Sequence, residues 1–209
     1  MTAFCVERGV SIVDWRCPSG QGGGRLAQSV PSCHRYGCSD MDYNPNRPHV
    51  ISTGGMDGLV KFWDLRKTDR GPIRILKGHT HWISTVRYNR FHDQLLLSGG
   101  TDSLLNLWRV SSISSAPLLE LDDDAVGVGP GSYDDLYAPP SPYPSSPCTT
   151  TAAAYLDAAD VRVAGAEHQE AVLGAAWSAS DAWLYASVSY DGQVMVSHVP
   201  SREKYKILL

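Results

Sequence analysis

A chain of 209 residues holds one large domain or two small ones, and its 43% hydrophobic and 9% aromatic content excludes a disordered polymer. A net charge of −4 gives no broad basic footprint for nucleic acid or anionic lipid. No run approaches the ~18–20 apolar residues that span a bilayer, and five cysteines, an odd number without a repeated spacing, do not suggest a disulfide framework.

The residues from Met1 to Cys5 lack a charged region followed by an apolar block, so a cytoplasmic chain with reduced thiols is expected. Trp15, Trp63 and Trp108 lie 48 and 45 residues apart, close to the ~40–45-residue period of units built from four short strands. The fold class this predicts is all-β, an incomplete β-propeller of about three blades plus a partial one. Residues 1–32 read as the partial or degenerate blade. Residues 10–15 alternate like a strand, and a glycine-rich turn follows over 18–24.

Residues 33–77 form the next blade, with an inner strand ending near Pro45, a second over 49–53, a third over 59–63 and a fourth over 73–76. Asp57-Gly58 supplies a hairpin turn, because glycine tolerates the positive φ such turns need. Residues 78–121 repeat the pattern, with strands over 82–88, 95–98, 104–110 and 117–121. Residues 122–165 break it. They hold six of the thirteen prolines, no lysine, and the runs Asp122-Asp123-Asp124 and Asp134-Asp135. A disordered acidic insertion between blades is expected there. Residues 166–209 resume with strands over 171–177, 184–189, 193–199 and a fourth over 205–209.

The same four residue types recur at blade spacing: a His at the blade opening, a hydroxyl on the second strand, an Asp in the following turn and a Trp on the third. The set is His34, Thr53, Asp57 and Trp63, then His79, Ser98, Asp102 and Trp108. His168, Ser187 and Asp191 form a third set, with Ser197 where Trp belongs. A buried carboxylate must be paired or hydrogen-bonded, and the imidazole, hydroxyl and indole supply donors. Repetition favours a structural relay over a hydrolase triad, since catalysis needs one exposed constellation. The first segment keeps Trp15 but has Gly9 six residues earlier, so its relay is expected to be lost.

Cys33-His34-x-x-x-Cys38 resembles half a zinc site but has no second pair at matching spacing, and the glycines of 20–24 lack the Lys-Ser/Thr ending of a phosphate loop. No metal, cofactor or catalytic group is expected. Candidate partner contacts are Trp82 first, as a large aromatic beside a loop, and then Arg35, Tyr36, His81, Arg87 and Glu170.

The relay pattern resembles WD repeats. Finer features are Asp40-Met41-Asp42-Tyr43-Asn44-Pro45-Asn46, Val60-Lys61-Phe62-Trp63-Asp64-x-Arg66, His81-Trp82, Val86-Arg87-Tyr88-Asn89 and Ser187-x-Ser189-Tyr190-Asp191-Gly192. Together they resemble the C-terminal half of the EARP- and GARP-complex-interacting family. That resemblance implies a non-catalytic adaptor for vesicle-tethering complexes at endosomes and the trans-Golgi network. It also implies a ring of about seven blades, the missing ones coming from a longer chain or a second copy. A competing resemblance rests on Trp63-Asp64-Leu65-Arg66, which is similar to the motif of substrate receptors of cullin–RING ubiquitin ligases.

Overall fold

The computed structural model describes residues 2–19, 23–115 and 160–208. These fold into four antiparallel sheets, each a simple meander. The first contains β1 (Thr2–Val6), β2 (Gly9–Ser19) and β3 (Gly23–Val30). The second contains β4 (Cys38–Tyr43), β5 (Val50–Gly55), β6 (Leu59–Asp64) and β7 (Arg74–Lys77). The third contains β8 (Ile83–Tyr88), β9 (Leu95–Gly100), β10 (Leu104–Val110) and β11 (Asp160–Glu167). The fourth contains β12 (Val172–Trp177), β13 (Leu184–Ser189) and β14 (Val194–His198), and is followed by helix α1 (Ser201–Leu208).

Each sheet is one blade, and three apolar layers lie between the four. Val10, Ile12, Val30 and Cys33 meet Cys38, Ile51, Trp63 and Leu65. Phe62, Val60 and Leu76 meet Ile83, Val86, Tyr88, Leu96 and Trp108. Leu95, Leu97, Leu105 and Leu107 meet Val172, Tyr185 and Val199. The Leu95-Leu96-Leu97 run is therefore explained by alternation: 95 and 97 face the fourth sheet and 96 faces the second. Each such buried leucine contributes about 1.5–3 kcal/mol.

Polar side chains also join the inner strands. Asp40 accepts the Val86 N–H at 2.9 Å and Arg87 Nη1 at 2.6 Å, and Asp42 accepts the Tyr88 N–H at 2.9 Å. These carboxylates thus satisfy backbone donors on the edge of β8 that have no partner strand. Ser84 Oγ donates to the Val172 carbonyl at 2.5 Å and Trp177 Nε1 to the Arg87 carbonyl at 3.1 Å, which ties β8 to β12.

Two expectations are corrected. The fourth strand of the third blade is β11, so residues 160–165 belong to the blade. The break in the pattern falls inside the third blade, between its third and fourth strands, rather than between blades. The expected strand over 117–121 lies outside the described residues, as does the acidic stretch up to residue 159. The expected final strand over 205–209 is instead α1. Pro200 stops β14, and its carbonyl accepts the Glu203 and Lys204 N–H groups, starting a turn with Glu203 near its N-terminus and Lys206 near its end. Glu203 is buried, pairing with Arg109 of β10 at 3.3 Å, and Ile207 packs on the third apolar layer.

The sheets do not close a ring. Among the described residues, β1 has no strand on its inner side and β14 none on its outer side. The open face of the first sheet exposes Phe4, Val6, Trp15 and Leu26, and that of the fourth exposes Leu173, Val188, Val194 and Val196.

Candidate functional site

The relay residues are drawn together as their spacing predicts. In the second blade Trp63 Nε1 donates to Thr53 Oγ1 at 3.0 Å, His34 Nε2 lies 2.9 Å from that oxygen, and His34 Nδ1 lies 2.8 Å from Asp57. The third blade repeats this with Trp108, Ser98, His79 and Asp102 at 2.7, 2.7 and 3.0 Å. Each chain runs from indole to hydroxyl to imidazole to carboxylate, using every donor once. His34, Thr53 and Ser98 are fully buried, so the groups are consumed in holding the blade.

Two members escape the sequence pattern. Lys61 Nζ donates to Asp57 at 3.2 Å and to the Cys33 carbonyl at 2.9 Å. Asn106 Nδ2 approaches His79 Nε2 at 3.0 Å. Both stand two residues before the Trp, on the same strand face, which is the signal that would have found them. In the first blade Trp15 Nε1 still donates to Thr2 Oγ1 at 3.1 Å, with no His or Asp behind it among the described residues.

Burial pushes the His34 imidazole below its ordinary 6.5, outweighing the opposing pull of Asp57. Burial pushes Asp57 and Asp102 upward, but the His34 and Lys61 contacts at Asp57, and the His79 and Thr80 contacts at Asp102, hold both below 3.8. A neutral imidazole donating from Nδ1 to an ionised carboxylate satisfies both directions.

The surface beside the relays is the candidate for recognition. On each of the last three blades the turn carrying the Asp bonds back to the opening loop: Met56 N–H to Gly37 O at 2.9 Å, Thr101 N–H to Trp82 O at 2.8 Å, and Tyr190 N–H to Ala171 O at 3.1 Å. These bonds bring the opening loops and turns to one edge of the sheets. Tyr36 is 61% exposed there, Trp82 49% and Tyr190 72%. All three are large aromatics on loops or turns whose backbones are hydrogen-bonded. Arg35 stacks over Tyr36 with its guanidinium 5.2 Å from the ring centre, and His81 lies against Trp82 at 5.1 Å while bonding Thr101. Glu170 is exposed at the same edge. Tyr190 and Met56 were not expected from the sequence because they belong to turns rather than opening loops.

Arg87 does not join this group. It stands five residues beyond Trp82 on β8, roughly 17 Å along an extended strand, in a cleft with Asp42, Tyr43 and Trp177 at the opposite end. There it is held by Asp40. Asp64 and Arg66 of the Trp-Asp-x-Arg motif form a fork at 3.0 and 2.9 Å. They line a groove with Arg47, His49, Lys67 and Arg70.

Repeated antiparallel blades of three or four strands, two of them opened by a complete His–hydroxyl relay to a turn Asp, define a WD-repeat β-propeller. The WD domain, G-beta repeat family matches residues 164–196. The EIPR1 beta-propeller family matches residues 1–108, and the chain belongs to that family. It is 36% identical over 183 residues to the EARP and GARP complex-interacting protein 1 of Rattus norvegicus, covering 86% of this chain and 42% of the relative. To the Homo sapiens protein of the same name it is 37% identical over 181 residues, covering 86% and 43%. To the EARP-interacting protein 1 of Caenorhabditis elegans it is 36% identical over 179 residues, covering 86% and 44%. The chain thus spans less than half the length of these relatives.

Proposed function

We propose that this chain is a non-catalytic adaptor that binds subunits of the EARP and GARP vesicle-tethering complexes and so supports endosomal recycling and retrograde transport. It would act in the cytoplasm, peripherally at endosomes and the trans-Golgi network. The observation that carries the reading is the row of exposed aromatics, Tyr36, Trp82 and Tyr190, on one edge of three consecutive blades. Exposed aromatics on well-ordered loops and turns are the residue type that most often anchors a protein interface. The relatives' names supply the partner class. The open faces of the first and fourth sheets would be covered by further blades, from a longer chain or a second copy.

Affinity purification of the chain tests this reading. Tether subunits should be recovered, and Trp82→Ala should weaken their retention roughly tenfold or more without altering the melting curve. Recovery of a ubiquitin-ligase propeller adaptor without tether subunits, lost on Arg66→Ala, would replace it with the ligase reading.

A further inference from the structure

Cys5 on β1 and Cys38 at the start of β4 come from different sheets, yet their sulfurs lie 3.3 Å apart. We propose that these two residues are a dithiol modification site that closes to a reversible disulfide, stapling the first blade to the second. The sulfurs of a disulfide sit about 2.05 Å apart, so closure brings them together by little more than about one ångström, within reach of small χ1 rotations.

The surroundings assign the two thiols different roles. Cys5 is partly exposed and Cys38 is buried. Either sulfur can donate in this contact; the contact lowers the Cys5 thiol, whereas the same contact and burial push Cys38 up. An external disulfide reaches the partly exposed Cys5 first, so Cys5 is the attacking group and buried Cys38 the resolving one. Cys33 lies in the same apolar layer but is fully buried, donates to the Val30 carbonyl at 3.1 Å, and is pushed up to about 11 by burial. It stays reduced.

With a small-molecule disulfide such as oxidised glutathione, the Cys5 thiolate attacks one glutathione sulfur. The glutathione S–S bond breaks, and one glutathione thiolate leaves. Cys38 then gives its proton to solvent and attacks the Cys5 sulfur, expelling the second glutathione. Two protein thiols are oxidised and one glutathione disulfide is reduced to two thiols, so electrons and atoms balance. The new bond closes a loop between residues 33 positions apart and limits the unfolded chain.

The whole folded chain is incubated with oxidised glutathione, its remaining thiols are blocked, and it is digested without reduction. The expected product is a Cys5–Cys38 linked peptide pair, with a melting temperature roughly 5–10 °C higher that returns to its starting value on reduction. Cys38→Ser should retain glutathione on Cys5, and Cys5→Ser should leave Cys38 unmodified. Should either variant fail to fold, native alkylation of the unaltered chain decides the roles, with Cys5 reacting before Cys38 and Cys33. The proposal is overturned if folded chain ends with glutathione on Cys5 and no link to Cys38, with Cys5 joined to Cys17 or Cys148, or with no reaction at all.

Discussion

The third and fourth blades carry the same His, hydroxyl and Asp at the same spacing, yet only the third completes the relay. His79 Nδ1 lies 3.0 Å from Asp102, while His168 Nδ1 stands 3.6 Å from Asp191 and has no hydrogen-bond partner. The two blades differ two residues before each Asp. The third blade has Gly100, where an added Cβ would lie 2.4 Å from the Asp102 carboxylate and 2.6 Å from His79 Nδ1. The second blade has Gly55, equally tight against His34. The fourth has Ser189, whose side chain occupies that space and bonds the Glu170 carbonyl at 2.9 Å. A glycine that is not itself a member is thus expected to be needed for the complete relay. The loss is accompanied by Ser197 in place of Trp and by Met195 where the other blades have Lys61 and Asn106.

The largest difference between the two blades is expected at the Trp position. Trp108 is buried, donates to Ser98, and fills the layer between the second and third sheets. Trp108→Ala should cost about 3–5 kcal/mol, whereas Ser197→Ala should stay within about 0.5 kcal/mol. Urea unfolding of both variants measures this. Equal losses would mean that the indole adds nothing beyond what the fourth blade already achieves without it.

Gly100→Ala attacks the relay from outside. The new methyl meets a carboxylate and an imidazole that are both locked, so we expect a loss of about 1–3 kcal/mol. A cost below that of an ordinary Gly→Ala replacement would show that His79 can move aside as His168 has done.

Acid should weaken the complete relays in two steps, through the His34 imidazole first and the carboxylates second. His34 titrates below 6.5 in the folded state, so the unfolded chain binds more protons and stability falls as pH drops below about 6.5 toward the folded value. Asp57 and Asp102 titrate below 3.8, so the stability they contribute is present above 3.8 and is lost as pH falls further through their folded values. A tenfold difference in proton affinity between the folded and unfolded chain corresponds to about 1.4 kcal/mol. Unfolding midpoints measured from about pH 7.5 down to about pH 3 should decline in these two windows. His34→Gln should flatten the upper one.

The relays were legible in the sequence because a buried polar network tolerates few residue types and repeats them at blade spacing. What decided the outcome in the fourth blade was less visible. Ser189 reads as one more strand residue until the His ring is seen to need its place. The blade boundaries failed for a different reason. The outer strand β11 begins more than forty residues after β10, so sequence proximity pointed to residues 117–121 instead. Residues 205–209 are a short, mostly apolar run that reads as a strand, but Pro200 and the buried Glu203–Arg109 pair favour a helix. The aromatic edge was half legible: Tyr36 and Trp82 follow an opening His, whereas Tyr190 and Met56 reach the same edge from turns.

The finest test is to give the fourth blade the missing glycine. Ser189→Gly removes the side chain at the position where the second and third blades have glycine, and the 0.6 Å excess over the third blade's distance (3.6 against 3.0 Å) is small enough to close by side-chain movement. A new hydrogen bond to a charged group contributes about 1.5–3 kcal/mol where it forms. Against it stand the strand glycine, at about 0.5–1 kcal/mol, and the lost bond to Glu170, at about 0.5–1.5 kcal/mol. These ranges leave a net change anywhere from about −1 to about +2 kcal/mol, so the change is better read at the ring. Nitrogen NMR of His168 should report one fixed tautomer, protonated on Nδ1, with slowed exchange of that proton. If the spectrum of His168 stays as it was, the broken relay follows from the absent Trp instead, and Ser197→Trp in the same background should then close it.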